Sequence, residues 1–403
     1  MCIENNLHKL PRRSSKKTSI LLNEQLQRRV FWECYMIDRY SSITLGRPPA
    51  IADEDIRIGF PANANDEEID AVDVTGSLGD LDSFCQAIAH KQSTSTANSE
   101  MSVFLLCLRL RRITSKIQKF RRNNERANNH PSTFTVESIT ASGRIHMDLE
   151  KLLSKLESWR RSAPFFASPR TLYETQEWYD LLLLREKLIL LRMAIDIVPK
   201  QRNNIPPLHL VSGCLQAATG TITHFCAMFT QSKVTYTRSY FQMLFAAGLS
   251  VMYCISVIEH DPETIMHATS AMDEAKKTLE EMGNVLKDPV PYVAIYKALQ
   301  ANILGKLSAT GEYHRSGFRG RLDSSDYGMP GYVQRHQQPV QSSRSCFALP
   351  GVLGTTMEDE EMLGQLLSPW DILGDNTLWD MEAGMGEYAY GDPMALFSNI
   401  DEV

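Results

Sequence analysis

The sequence predicts an all-α protein built as a large multi-helix bundle. Apolar residues recur at three- and four-residue steps over long stretches, whereas the alternating pattern of β-strands and hairpin dipeptides is almost absent. The 403 residues are 43% hydrophobic and 22% charged, which is enough to bury a large core. One large helical domain with disordered flanks is therefore expected.

The predicted elements divide the chain into four parts. Residues 1–19 read as a basic disordered arm, 20–309 as the helical domain, 310–345 as a flexible linker and 346–403 as an acidic segment. Polar loops are expected at 62–79 and 91–99. After a first helix that stops near residue 46, helices are expected over about 101–126, 138–160, 172–198, 207–231, 236–259, 262–286 and 289–308.

Two apolar helices need separate explanation. In the first, Val30, Cys34, Ile37 and Ser41 recur at helical spacing, and aromatic residues fill much of the rest, so we expect it to be buried on most sides. In the second, residues 239–258 carry no charge and are long enough to span a membrane. Polar residues dilute this stretch and no second span accompanies it, so a buried core helix is favoured and no membrane partner is expected.

The first helix and the loop after it carry the most specific signal in the chain. Its residues, in order, are Arg28, Arg29, Phe31, Trp32, Asp38, Arg39, Gly46, Arg47, Pro48, Pro49, Asp53, Asp55 and Pro61. This ordered string resembles the signature of the fungal-specific transcription factor domain, also called the xylanolytic-activator regulatory domain or middle homology region. A weaker likeness continues through residues 156–164 and the helices at 178–192 and 236–253, so that about 20–310 are covered.

The resemblance implies a nuclear regulator of RNA polymerase II transcription. Proteins of this family bind DNA through an N-terminal binuclear zinc cluster, often as dimers. That cluster needs six closely spaced cysteines. The eight cysteines of this chain are at least 12 residues apart, so no zinc or other cofactor is expected in it. We therefore expect the domain to be truncated at its N-terminus, through an incomplete gene model or in a natural variant. DNA would then be reached indirectly or through a missing module.

The charged residues of the signature predict a structural role. Asp38, Arg39, Arg47, Asp53 and Asp55 accompany an apolar helix, and charges in such surroundings are usually paired. A clamp between the helix and the loop is the main interpretation, and contact with a ligand or effector is the alternative.

The acidic segment 346–403 contains 12 Asp or Glu and no Lys or Arg. Bulky apolar residues alternate with its charges, among them Leu366, Leu367, Trp370, Leu373, Trp379 and Phe397. This pattern is typical of acidic-hydrophobic activation segments that bind transcription coactivators. A solubilising tail without a partner is the alternative.

The predicted helix at 101–126 has a basic face formed by Arg109, Arg112, Lys116 and Lys119. Such a face can neutralise nucleic-acid phosphates without sequence choice. A solvated surface or a pairing with the acidic segment are alternatives. The basic pairs within residues 1–19 are compatible with nuclear import or with an ordinary solvated tail.

No enzyme or metal motif is present in the sequence, and His260 and His267 read as surface features. The chain is therefore predicted not to be an enzyme, and coactivators or a homo- or heterodimer partner are expected. Two alternatives remain open. One is a DNA-binding-deficient partner or dominant inhibitor of a full-length factor, and the other is a helical small-molecule sensor or enzyme.

Overall fold

The computed structural model describes residues 3–9, 20–44, 47–75, 81–92, 98–128, 136–198, 205–234, 237–285 and 290–319. These residues form ten α-helices and contain no strand, so the all-α prediction is confirmed for the described part of the chain. The helices are α1 Ile20–Thr44, α2 Asp66–Thr75, α3 Leu81–Gln92, α4 Ser102–Asn128, α5 Val136–Arg161, α6 Gln176–Ile197, α7 Leu208–Thr230, α8 Arg238–Val257, α9 Pro262–Val285 and α10 Val290–Arg319.

The main core lies among α6, α7, α8 and α9, with α4, α5 and α10 packed around them. Phe225 on α7, Phe245 on α8 and Tyr296 on α10 are fully buried within it. Gly248 permits the closest approach, because a Cβ atom there would lie 2.8 Å from the Cζ atom of Tyr296. The Tyr296 hydroxyl donates to the Met272 carbonyl at 3.2 Å, so α8, α9 and α10 meet at one point.

The uncharged helix α8 packs inside this bundle, as the sequence predicts. It is the one helix among the described residues that is long and apolar enough to cross a membrane, and 72% of its apolar window is buried in the protein. Its N-terminus is capped by Thr237, whose hydroxyl accepts from the Tyr240 amide at 3.1 Å.

The N-terminal helices form a smaller unit against α4. One apolar cluster joins Phe31, Trp32 and Tyr35 of α1 to Leu105 and Leu108 of α4. A second cluster joins the start of α1 to α2 and α3. Because α4 also contributes to the main core, it connects the two parts of the fold.

Two predictions about α1 and its surroundings are wrong. Val30 and Ile37 are 52% and 57% exposed, so the stripe expected to be buried faces outward. The opposite face of α1 is buried instead, because its aromatic residues pack on α4. Residues 62–79, expected to be a loop, contain α2, and residues 91–92, also assigned to a loop, belong to α3.

Two further boundaries differ from the prediction. Residues 3–9, expected to belong to a disordered arm, pack against the loop after α1, and His8 is buried there. The last helix continues to Arg319, beyond the expected end near residue 308. The predicted linker from residue 320 onward and the acidic segment 346–403 lie outside the described residues.

Candidate functional site

Residues 47–65, called here the signature loop, run antiparallel along α1 and are tied to it at successive positions. Two prolines open the segment and Pro61 lies buried in its later part. The loop contacts the C-terminal half of α1 first and reaches the N-terminal half near Ala62. There the Gln25 side chain makes two hydrogen bonds to Ala62, donating to its carbonyl at 3.1 Å and accepting from its amide at 2.8 Å. The loop therefore has its path set by side chains of α1.

Arg28 holds the later part of the signature loop against the N-terminal half of α1. Its guanidinium, 1% exposed, lies 2.5 Å from Glu24 one turn earlier on α1 and 2.8 Å from Asp82 on α3. It also donates to the Phe60 carbonyl at 2.8 Å. Gly59 lies directly beneath, where a Cβ atom would be 2.6 Å from Nη1 of Arg28, so the loop backbone approaches the guanidinium closely.

Trp32 fixes the middle of the loop. Its indole N–H donates to the Gly59 carbonyl at 2.7 Å, and its ring makes edge contacts with Phe31, Tyr35 and Phe60. The indole is 1% exposed, so this hydrogen bond satisfies a buried donor. A tryptophan at this position supplies both the apolar packing and the polar contact.

Arg39 holds the first part of the signature loop against the C-terminal half of α1. We call the group around it the helix–loop clamp, which consists of Arg39, Asp38, Tyr35, Asp53 and Ser115. The Arg39 guanidinium contacts Asp38 at 2.5 Å and Asp53 at 3.0 Å. It also donates to Ser115 on α4 and to the Ile51 carbonyl. Asp53 accepts from Tyr35 at 2.8 Å and from Ser115 at 2.5 Å, so α1, the loop and α4 are joined at one carboxylate.

The helix–loop clamp shifts the pKa values of Asp53 and Tyr35. Burial would raise the pKa of Asp53, but hydrogen bonds from Ser115 and Tyr35 and the charge of Arg39 outweigh it, and the pKa is lowered. Burial, reinforced by the neighbouring Asp53, raises the pKa of Tyr35 to about 12 although Arg39 opposes the shift. The arrangement thus favours an ionised Asp53 and a neutral Tyr35.

A similar balance holds at Arg28. Burial would lower its pKa, but the hydrogen bonds to Asp82 and Glu24 and the attraction of both carboxylates outweigh this effect. The pKa of Arg28 is therefore raised, and the guanidinium stays charged inside the protein.

The remaining signature residues lie around these two networks. Arg29 pairs with Asp66 at the start of α2, and the distance from Nη2 of Arg29 to Oδ1 of Asp66 is 2.5 Å. The Arg47 amide donates to the Ser42 carbonyl at 2.9 Å, and Asp55 is exposed. Gly46 lies outside the described residues.

The structure places the predicted basic face of α4 beside the signature loop. Lys119 pairs with Glu54 of the loop at 2.8 Å, and the Arg112 guanidinium lies 5.8 Å from the Trp32 ring centroid. Arg109 and Lys116 are exposed. Partial burial and the nearby cations Lys155 and Arg112 lower the pKa of Lys116. The face is therefore partly engaged within the protein.

Sequence reasoning missed the polar contacts that join α4 to α6 and α1 to α8. Glu186 on α6 is 1% exposed and accepts from Arg111 at 3.3 Å and from Thr114 at 3.2 Å. The Tyr40 hydroxyl at the end of α1 bonds to Ser239 at the start of α8. A glutamate in the leucine-rich run of α6 was the only sequence signal for a buried polar link.

The cysteines that the structure describes do not fit a zinc cluster. Cys34, Cys85, Cys107, Cys214, Cys226 and Cys254 are free thiols. Burial raises the pKa of Cys107 and of Cys226 to about 11, which opposes formation of the thiolate that zinc needs. Among the described residues, no three His, Cys, Asp or Glu side chains form a group that could hold a metal ion.

The two noted histidines have local partners. His260 contacts the Cys254 carbonyl at 3.0 Å, and His267 lies 3.8 Å from Glu263 on the exposed side of α9. The six apolar residues of the predicted activation segment lie outside the described residues.

Comparison with protein families gives a match for the N-terminal part of the chain. Residues 1–161 match the family model of the fungal specific transcription factor domain, which confirms the resemblance carried by α1 and the signature loop. This family consists of fungal transcription regulators. Its domain is a regulatory one, and the family is not a family of enzymes. The match ends with α5, whereas the sequence likeness was expected to reach about residue 310. Searches of curated proteins and of solved structures found no match.

Proposed function

We propose that this chain is a nuclear regulator of RNA polymerase II transcription, in which a helical regulatory core carries an acidic activation segment. The family match of residues 1–161 is the observation that carries the proposal. In this account the helix–loop clamp is a structural part of the core, because each of its charges has a partner from a neighbouring element.

The composition of residues 346–403 supports the activation role. Repulsion among 12 carboxylates, with no Lys or Arg between them, favours an expanded chain that keeps Trp370 and Trp379 in water. Such side chains can bind shallow apolar grooves on coactivators. DNA would be contacted through a zinc-cluster module or a partner chain that carries one, because the described cysteines do not fit such a cluster.

A reporter experiment tests the activation role. Residues 346–403 are fused to a heterologous DNA-binding module, and polymerase II reporter output is measured. The fusion is expected to raise output above that of the module alone, and Trp370→Ala with Trp379→Ala is expected to abolish the gain. The matched control, Asn376→Ala with Thr377→Ala, lies between the tryptophans and should keep it. An unchanged reporter, or equal loss in both double variants, would contradict the proposal.

A further inference from the structure

A cleft lies between residues 3–9 and the signature loop. It encloses about 360 Å³, and its lining includes Ile3, His8, Lys9, Ile51, Asp55 and Arg57. The segment on one side is held by backbone contacts, because the His8 carbonyl accepts from the Arg57 amide at 2.8 Å and from the Ile58 amide at 3.1 Å. The cleft is therefore bounded by two segments with defined contacts to each other.

The lining combines apolar surface with an excess of positive charge. Ile3 and Ile51 supply apolar contacts, whereas Lys9 and Arg57 supply two cations against the single carboxylate of Asp55. The Lys9 ammonium now donates to the neutral amide oxygen of Asn6 at 2.8 Å. A carboxylate would be a stronger acceptor for it, because hydrogen bonds between charged partners exceed neutral ones in strength.

His8 adds a buried polar group to this wall. Its side chain is 7% exposed, and Nδ1 has no hydrogen-bond partner among the described residues. Buried polar atoms without a partner are uncommon in folded proteins, and each carries a desolvation cost. A ligand contact that repositions the imidazole would offset this cost.

The cleft is also connected to the helix–loop clamp. The amides of Ala50 and Ile51, which border the cleft, donate to Asp38 at 2.8 and 3.2 Å. Asp38 in turn pairs with Arg39. A ligand bound against this stretch of loop would stabilise both the position of residues 3–9 and the clamp behind them.

We propose that this cleft binds a small organic anion, namely a carboxylate that carries a short apolar group. The carboxylate contacts Lys9 and Arg57, and the apolar group packs against Ile3 and Ile51. Occupancy of the cleft then strengthens the attachment of the N-terminal segment to the signature loop. This inference does not depend on the proposed role in transcription, since it concerns binding alone.

Calorimetric titration and thermal unfolding of the full chain test the proposal, with 3-methylbutanoate as the probe. Saturable binding and an increase in unfolding temperature are expected. Inorganic phosphate, which lacks the apolar group, and 3-methylbutylamine, which lacks the negative charge, should bind more weakly. Absence of saturable binding of the carboxylate, or equal binding of the amine, would overturn the proposal.

Exposed residues provide variants that leave the core intact. Lys9→Gln with Arg57→Gln should weaken binding about tenfold or more, because charge-assisted contacts are lost. Arg144→Gln with Lys155→Gln removes two exposed charges from α5 and should leave the affinity unchanged. Equal loss in both double variants would show that only the net charge matters and would refute the site.

Asp55→Asn tests whether the anion lies close to the carboxylate of the cleft. Removing this carboxylate should strengthen binding of the anion a few-fold, because it removes a like charge from the cleft. Weaker binding of 3-methylbutanoate in Asp55→Asn would show that this carboxylate does not repel the bound ligand, and the proposed placement of the anion in the cleft would then be wrong.

Discussion

Replacing Arg28 by methionine would remove the cation that joins α1 to the signature loop and to α3. The side chain is 1% exposed and has three acceptors within 2.8 Å, namely Glu24, Asp82 and the Phe60 carbonyl. Methionine keeps the apolar part of the side chain and deletes every hydrogen bond. The experiment therefore measures the polar contribution of this residue.

The expected loss of stability depends on the two carboxylates that the substitution leaves without a cation. The Glu24 side chain is 9% exposed and would become a buried carboxylate without its cation. Asp82 is 56% exposed and should be compensated by water. Breaking a buried pair from one side costs about 3–5 kcal/mol, and we expect the free energy of unfolding to fall by about this amount.

Urea unfolding of the full chain, followed by circular dichroism, measures this loss. Lys151→Met is the control, because it breaks an ion pair with Asp148 in which both side chains are more than half exposed. That substitution should cost at most about 1 kcal/mol. The double variant Arg28→Met with Glu24→Met should recover part of the lost stability, since no buried charge then remains. Equal losses in Arg28→Met and Lys151→Met would refute the reasoning.

Two further predictions concern packing and pH. Gly248→Ala should lower the free energy of unfolding by about 1–3 kcal/mol in a urea titration, because the new Cβ overlaps Tyr296. Gly143→Ala is the control, because a Cβ there would meet no atom within 4 Å apart from the adjacent backbone of its own helix, and it should be neutral or stabilising. Equal effects of the two substitutions would contradict this prediction. Because the pKa of Asp53 is lower in the folded protein, its ionisation stabilises the fold above about pH 4, its usual unfolded pKa, and this contribution is lost as the pH falls further. Asp53→Asn should therefore flatten the dependence of stability on pH below about pH 4, and an unchanged acid profile would count against the clamp.

The helical fold was predictable because long apolar repeats identify helices directly. The main-core helices α6 to α9 begin and end within a few residues of their predicted limits. The short helices α2 and α3 were not predicted. Helix α2 has only 10 residues and begins with three acidic ones, so its apolar signal is brief. Helix α3 does carry apolar residues at helical spacing, among them Leu81, Phe84 and Ile88, and this signal was overlooked.

The orientation of α1 could not be predicted from its own sequence. Both the Val30–Ile37 stripe and the Phe31–Tyr35 face are apolar at helical spacing. Only packing against α4 decides which is buried, and the aromatic face is the one that contacts Leu105 and Leu108. The exposed stripe shows that apolar periodicity identifies a helix without fixing its inward side.

For the candidate site, the sequence indicated that the charges would be paired but did not identify their partners. Charged residues beside an apolar helix indicated pairing, but the partners of Asp53 include Ser115, which is 62 positions away in the chain. Likewise, residues 3–9 carry no apolar repeat, so nothing in their sequence indicated contact with the loop. Long-range partners of this kind depend on tertiary packing and cannot be read from local patterns.

The most direct test of the central claim is tethering of the whole chain to a heterologous DNA-binding module upstream of a polymerase II reporter. Our account predicts that reporter output exceeds that of the module alone, and that deletion of residues 346–403 removes the increase while the remaining chain stays folded. Output equal to that of the module alone, with a folded and expressed fusion, would contradict the proposed role of this protein as a transcriptional activator.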